Sequence, residues 1–342
     1  MVEKKNRCGY IDFIRVFAIV LVILLHCICD YYNNTANCGT KTWYVLGFVN
    51  ELCRVGVPLF FMISGYLLLR QEITDITGFY KHRILKIGIP FILYDIFYYF
   101  FFCHLNDVTP SFLDFFKSLF HAGSAYHLWF IYSILFLYLL MPFIQMILQK
   151  IGPRLAIFFL LLVVFHTTLR PFINTVAEGY IFVYLADDGF VGYLGYMILG
   201  YLLGIYQPSV KIKYAIYFVG LLFFVGVPLV SMYRVQNGGD FLFHGGYSLN
   251  HYVEAAAIFL LCKSCIKAVP SAVSRLSTVT FGAYFAHVFF VEVLKQLAWD
   301  ASPMVLLSAY FLITLIASFL WGFVDQQFTR LFSSCYKKIR GR

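Results

Sequence analysis

Charge is what this chain has least of. Only 13% of its 342 residues are Asp, Glu, Lys or Arg, against roughly 25% in an average soluble domain. So few solvated groups exclude a water-soluble enzyme, and they exclude a disordered chain as well. The common phosphate loops and the Gly-x-Ser-x-Gly elbow are missing, which removes the usual nucleotide-binding and soluble-hydrolase signatures. No H-x-x-x-H or H-E-x-x-H spacing occurs among the 9 histidines, so no metal is expected. The 9 cysteines are odd in number and scattered, which is no disulfide framework. Cys262 and Cys265 form a lone C-x-x-C on an expected helix, and Cys29 and Cys38 could pair on the outer side. Internal repeats, low-complexity tracts and an appended soluble domain are also absent, so residues 1–342 read as a single integral membrane domain.

What remains is apolar: 61% of the chain is hydrophobic and 20% aromatic, with a mean hydropathy of +0.79. A spanning helix needs about 20 mostly apolar residues to cross a hydrocarbon core of roughly 30 Å. Ten stretches meet or approach this, near 10–30, 44–69, 87–105, 127–149, 154–168, 189–206, 214–233, 248–266, 277–298 and 304–324. The expected fold is an all-α, multi-pass membrane bundle of about ten transmembrane helices, with both termini on one side. With the N-terminus inside, twenty of the 26 basic residues face inward, including Lys4, Lys5, Arg7 and Arg342. The outer side keeps Lys41, Arg54, Lys117, Arg170, Arg234 and Lys295. This positive-inside asymmetry makes both termini cytoplasmic and explains the net charge of +9 without a nucleic-acid partner.

The first apolar run follows basic residues, as a signal peptide does. It contains Asp12, Arg15 and His26 and lacks a small-x-small cleavage site, so it reads as an uncleaved span. The longest outer loops are expected near 106–126, 169–188 and 234–247. Inner loops are short except 70–86, where a cytosolic ligand could be held.

A charged side chain at the bilayer centre costs about 2.5–3.5 kcal/mol on insertion scales and usually faces a bundle interior or a water-filled cavity. In YIDFIRVFAIVLVILLHC, Arg15 and His26 are eleven residues apart. At about 100° per residue that is some 20° from three full turns, so both lie on one helical stripe, about 16 Å apart along the axis. Asp12 sits one turn before Arg15 and can pair with it. Arg15 alone could be a snorkelling anchor, and His26 alone a helix–helix hydrogen bond. Together they mark a polar track, and imidazole is the side chain suited to moving a proton near neutral pH.

The second stretch, NELCRVGVPLFFMISGYLLLRQ, offers Gly56, Ser64 and Gly65 for close helix contact and Pro58 for a kink. Glu51 and Arg54 are spaced to pair. The inner segment FYKHRILKIGIP holds Lys81, Arg83 and Lys86, which serve either as positive-inside anchors or as a phosphate clamp. His127 and Trp129 open the fourth span, with Trp129 suited to the aromatic belt. In LSTVTFGAYFAHVFF the ninth span carries Ser277, Gly282, Tyr284 and His287. Asp95, Glu254 and Glu292 also fall within spans, Glu292 with Lys295 one turn on.

The pattern of Asp12, Arg15 and His26, followed by RVGVPLFFMISGYLL, HLWFIYSILFLYLLMP and LSTVTFGAYFAH, resembles the acyltransferase-3 family of membrane acyltransferases. The likeness runs from the first span to the ninth. It is nearest the stand-alone branch that includes an O-acetyltransferase of enterobacterial common antigen. The resemblance implies a multi-pass protein of a bacterial plasma membrane. Such a protein transfers an acyl group, usually acetyl, from cytosolic acyl-CoA to a hydroxyl of an extracytoplasmic polysaccharide or lipid-linked glycan.

On that reading Arg83 and Lys86, with Arg15, bind the CoA phosphates, although Lys86 stands where the family pattern carries a second arginine. The pantetheine arm then follows the Arg15–His26 stripe, and His26 acts as general base. Tyr284 is a candidate oxyanion donor, and His127 and His287 are candidates on the substrate side. A histidine-acyl intermediate stays open beside direct transfer. The rival readings are a glycan exporter or solute transporter of the same fold, and a module like the membrane half of the vancomycin-resistance serine racemases. The end of the chain at Arg342, soon after the tenth span, speaks against a racemase domain.

Overall fold

A computed structural model describes residues 8–121, 123–176, 188–241, 245–297 and 300–340, all in helices, turns or irregular segments with no strand among them. Lys4, Lys5, Arg7 and Arg342 of the inward basic set lie outside the described residues. So do 177–187 and 242–244 of two expected outer loops.

Helix α1 (Gly9–Asn33) is one unbroken rod. Asn34 then turns the chain, its side chain accepting from Ala36 N at 3.0 Å. Helix α2 (Lys41–Arg54) starts at Thr40, whose hydroxyl accepts from Trp43 N at 3.2 Å. Trp43 Nε1 donates to the Tyr32 carbonyl at 3.0 Å and ties α2 to the end of α1. The chain breaks at Val55 before α3 (Gly56–Leu69), so the expected second span is two helices. Pro58 is the cause: without an N–H it cannot satisfy the Arg54 carbonyl.

The segment expected as an inner loop is largely helical. Asp75 caps α4 (Ile76–Arg83) by accepting from Gly78 N at 2.8 Å, and a π-helical turn (Ile84–Gly88) leads into α5 (Ile89–Leu105). Helices α6 (Phe112–Phe120) and α7 (Trp129–Val176) follow. The latter takes in both the fourth and fifth expected spans and bends between them at Gly152, whose φ of 72° lies in the left-handed region open to glycine. The remaining helices are α8 (Asp188–Ile205), α9 (Val210–Gln236), α10 (Leu249–Cys265), α11 (Ser271–Leu276), α12 (Thr280–Lys295) and α13 (Pro303–Arg340).

Among the described residues six stretches are long and apolar enough to cross a membrane: Gly9–Asn33, Lys41–Leu69, Ile76–Leu105, Trp129–Thr168, Val210–Gln236 and Pro303–Arg330. Helices α10 and α12, expected as spans, have 17 and 16 residues. Large apolar side chains point outward along several of these helices, Phe100, Phe143, Phe165, Phe218 and Leu320 each being more than half exposed. Lipid makes this favourable and water would not. The chain is an all-α membrane bundle.

The chain divides into two compact units. One is Met1–Phe60, Pro208–Gly246 and Asn250–Arg342; the other is Phe61–Gln207 and Tyr247–Leu249. In the first, α1 packs against α2, α11, α12 and α13, while α2 packs on α9. In the second, α7 packs on α8 and α4. Cys29 and Cys38 are free thiols, against the pairing the sequence allowed. Cys29 instead directs its Sγ at the His26 carbonyl, 3.7 Å away within the same helix.

Candidate active site

In the first unit the chemistry collects where α1 meets the α11–α12 segment. Asp12 is buried and gathers three partners. Its Oδ1 accepts from Arg15 Nη1 at 3.3 Å and from Ser277 Oγ at 2.9 Å, and its Oδ2 accepts from Ser274 Oγ at 2.8 Å. The Asp12–Arg15 pair expected from the sequence is therefore present, but the carboxylate also anchors α11. Ser277 belongs to the end of α11, not to a continuous ninth span.

At the far end Lys295 bridges Asp30 at 2.6 Å and Glu292 at 2.8 Å, the latter as its spacing foretold. Asp12 to Asp30 is about 27 Å of helix at 1.5 Å per residue, and α12 runs about 23 Å from Thr280 to Lys295 after the turn at Ser277. The two segments therefore run side by side in the same direction.

Between these two ties lie two imidazoles. The rings of His26 on α1 and His287 on α12 have centroids 5.2 Å apart at 37°. His287 is fully buried, and its Nδ1 bonds the Tyr284 carbonyl. A carbonyl only accepts, so Nδ1 carries the proton and Nε2 keeps its lone pair. The Tyr284 ring lies 5.6 Å from the His287 ring. Arg15 and His26 do share a stripe of α1, and Ile19 and Val22 fill it between them, both buried.

A second cluster in the same unit escaped the sequence reading. Glu51 of α2 accepts from Asn250 Nδ2 and lies 3.6 Å from His251 Nε2, and Glu254 completes the group one turn on along α10. Arg54, expected to pair with Glu51, acts on it through its charge and also donates its Nε to Asn50 Oδ1 at 2.8 Å. The only signal available in the sequence was H-x-x-E at 251–254, and its third member lies two hundred residues earlier.

In the second unit Arg83 ends α4 with its guanidinium 5.0 Å from both the Phe79 and Tyr138 rings, a cation–π seat on two sides. Lys86 is exposed on the π turn. A surface hollow of about 370 Å³ beside it is lined by Thr77, Tyr80, Lys81, Ile84 and Leu85.

His127, also in this unit, is buried and meets the Tyr98 ring edge-on at 5.0 Å. Beside it Asp95 accepts from Ser124 N at 2.7 Å, a corner that requires Gly123 at φ 94°. Helices α3 and α8 touch backbone to backbone, because Gly65 lies on Met197 and Gly200 on Met62. That is the close contact the small residues foretold.

Comparison with known proteins gives two matches. The family model described as an acyltransferase domain, acyltransferase-3, matches residues 9–322. An amino-acid racemase of Enterococcus faecalis is 28% identical in an alignment 167 residues long that covers 45% of this chain. The match spans 22% of that protein's own length. No solved structure matches the chain.

Proposed function

This chain belongs to the acyltransferase-3 family, whose model runs over residues 9–322, and is a membrane acyltransferase; from that premise we propose that it takes an acyl group, acetyl first of all, from cytosolic acyl-CoA to a hydroxyl of an extracytoplasmic glycan. The domain responsible is the whole chain, residues 1–342, multi-pass in a bacterial plasma membrane with cytoplasmic termini. The observation that carries this reading is the His26–His287 pair, two imidazoles in an apolar helix interface between two polar ties.

His26 is the general base. It takes the proton of the acceptor hydroxyl as that oxygen attacks the thioester carbonyl. The C–S bond breaks, the ester C–O bond forms, and the proton passes to the departing CoA thiolate. His287 holds its Nδ1 proton on a backbone carbonyl and orients the His26 ring through ring contact. The Tyr284 phenol is our candidate donor to the oxyanion. Arg15 contributes fixed positive charge, held by Asp12. Arg83 and Lys86 bind the phosphates of the donor. The rings beside Arg83 fix its planar fork, which suits bidentate phosphate contact.

The test is purified protein in liposomes supplied with labelled acetyl-CoA and surface glycan. Label passing to the glycan as an alkali-labile ester supports the assignment. Movement of unmodified glycan or solute with no need of acyl-CoA would make the chain an exporter instead.

A further inference from the structure

The group formed by Glu51, His251 and Glu254 plays no part in the reaction above, yet it is among the most deeply buried polar clusters of the first unit. His251 is 0%, Glu254 4% and Glu51 7% exposed. Each offers one ligand atom, and these atoms lie within 4.8 Å of one another. His251 and Glu254 are three residues apart on α10 and therefore share a face. Glu51 comes from α2.

The chemistry of the donor set is one-sided. His251 Nδ1 bonds the Gly245 carbonyl at 3.1 Å, so it is the protonated nitrogen. In the neutral ring Nε2 then presents a lone pair, and it lies 3.6 Å from a Glu51 oxygen. A backbone carbonyl on the other ring nitrogen is the arrangement that orients metal-ligating histidines. The buried Glu254 carboxyl has the Glu51 carboxyl as its polar neighbour, and neither of its oxygens accepts an N–H donor among the described residues. Asn250 donates to Glu51 and steadies it from the side. Two carboxylates and a lone-pair nitrogen crowd one buried point; Arg54 places one positive charge beside Glu51, and a divalent cation would complete the balance while engaging all three ligand atoms.

We propose that Glu51, His251 and Glu254 bind a divalent transition-metal ion of the zinc class, clamping the start of α10 to α2. One nitrogen and two carboxylate oxygens are a zinc-type ligand set that leaves a fourth position for water. Around an ion with bonds of about 2.1 Å, tetrahedral ligand atoms stand about 3.4 Å apart, so the side chains close in slightly on binding. The i,i+4 histidine spacings missing from the sequence do not bear on this site, because its ligands come from two helices.

The experiment uses the full chain in detergent, stripped with chelator and titrated with Zn²⁺. Its readouts are metal content after desalting, the unfolding temperature, and X-ray absorption of the loaded protein. The expected result is one ion per chain with nitrogen and oxygen ligands at about 2.0–2.2 Å. At 100 times Kd the ion shifts the folding equilibrium about 100-fold, raising the unfolding temperature. Glu254→Gln and His251→Asn each weaken zinc more than roughly tenfold.

Wild-type protein that holds no zinc, holds it through sulfur, or gains no thermal protection overturns the proposal. So does a well-folded Glu254→Gln protein that binds as the wild type does. If the variants do not fold, the wild-type ligand shell and thermal shift decide alone. None of these readouts depends on acyl transfer.

Discussion

His26 and His287 meet ring to ring, their centroids 5.2 Å apart, although they stand at opposite ends of the sequence. Helix α1 brings one and α12 the other, and the Asp12–Ser277 and Asp30–Lys295 ties hold the two helices in register. The first expectation concerns this pair. His26→Ala should lower acetyl transfer in liposomes by about 10²–10⁴-fold, the usual worth of a positioned base. His287→Ala should cost less, and the double variant no more than His26→Ala alone, because the second ring acts through the first. Additive losses would sink the orienting role, and an unchanged rate in His26→Ala would sink the base.

Asp12 should matter for stability more than its place near a helix end implies. Asp12→Ala takes the acceptor from the half-buried Ser274 hydroxyl and leaves the buried Ser277 hydroxyl only the Ser274 carbonyl. The expected loss is on the order of 1–3 kcal/mol, read from thermal unfolding in detergent. Arg15→Gln should cost less, since that side chain is 30% exposed and solvent screens the pair. The reverse ranking would mean that α11 is not held by this carboxylate.

The glycine contacts give a prediction with an internal control. A Cβ at Gly65 runs into the Met197 backbone, so Gly65→Ala should destabilise the second unit by about 1–3 kcal/mol through overpacking. Gly226 on α9 has nothing within 4 Å of such a Cβ. Gly226→Ala should be neutral or gain up to about 1 kcal/mol of helix propensity. Equal unfolding temperatures for the two variants would rule out the close α3–α8 approach.

Arg83 is expected to act on donor binding. Arg83→Ala should raise KM for acyl-CoA about tenfold, a loss of about 1.4 kcal/mol, with kcat little changed. Steady-state kinetics at varied acyl-CoA separate the two. A fall in kcat at unchanged KM would place Arg83 outside the donor site.

Particular residues show what could be read from the sequence. The i,i+3 spacing gave Asp12–Arg15 and Glu292–Lys295 correctly, because neighbours on one helix are fixed by helical geometry alone. The same rule set Arg54 beside Glu51, where its charge acts on the carboxylate, but left unseen that Glu51 also faces Asn250 and His251 of another helix. The 70–86 segment looked like a loop because its polar residues hid a helix that Asp75 caps.

The sequence by itself determined that the protein is an all-helical membrane protein of the acyltransferase-3 family, since scarce charge and long apolar runs admit no other solvent and the motif order marks the family. It also placed Arg15 and His26 on one stripe of the first span and singled out His287 separately. Only the tertiary structure decided which of these groups meet. Helix packing set His287 on His26, Ser277 on Asp12 and His251 on Glu51. Contacts between helices distant in sequence depend on how apolar faces interlock, and no local spacing encodes that.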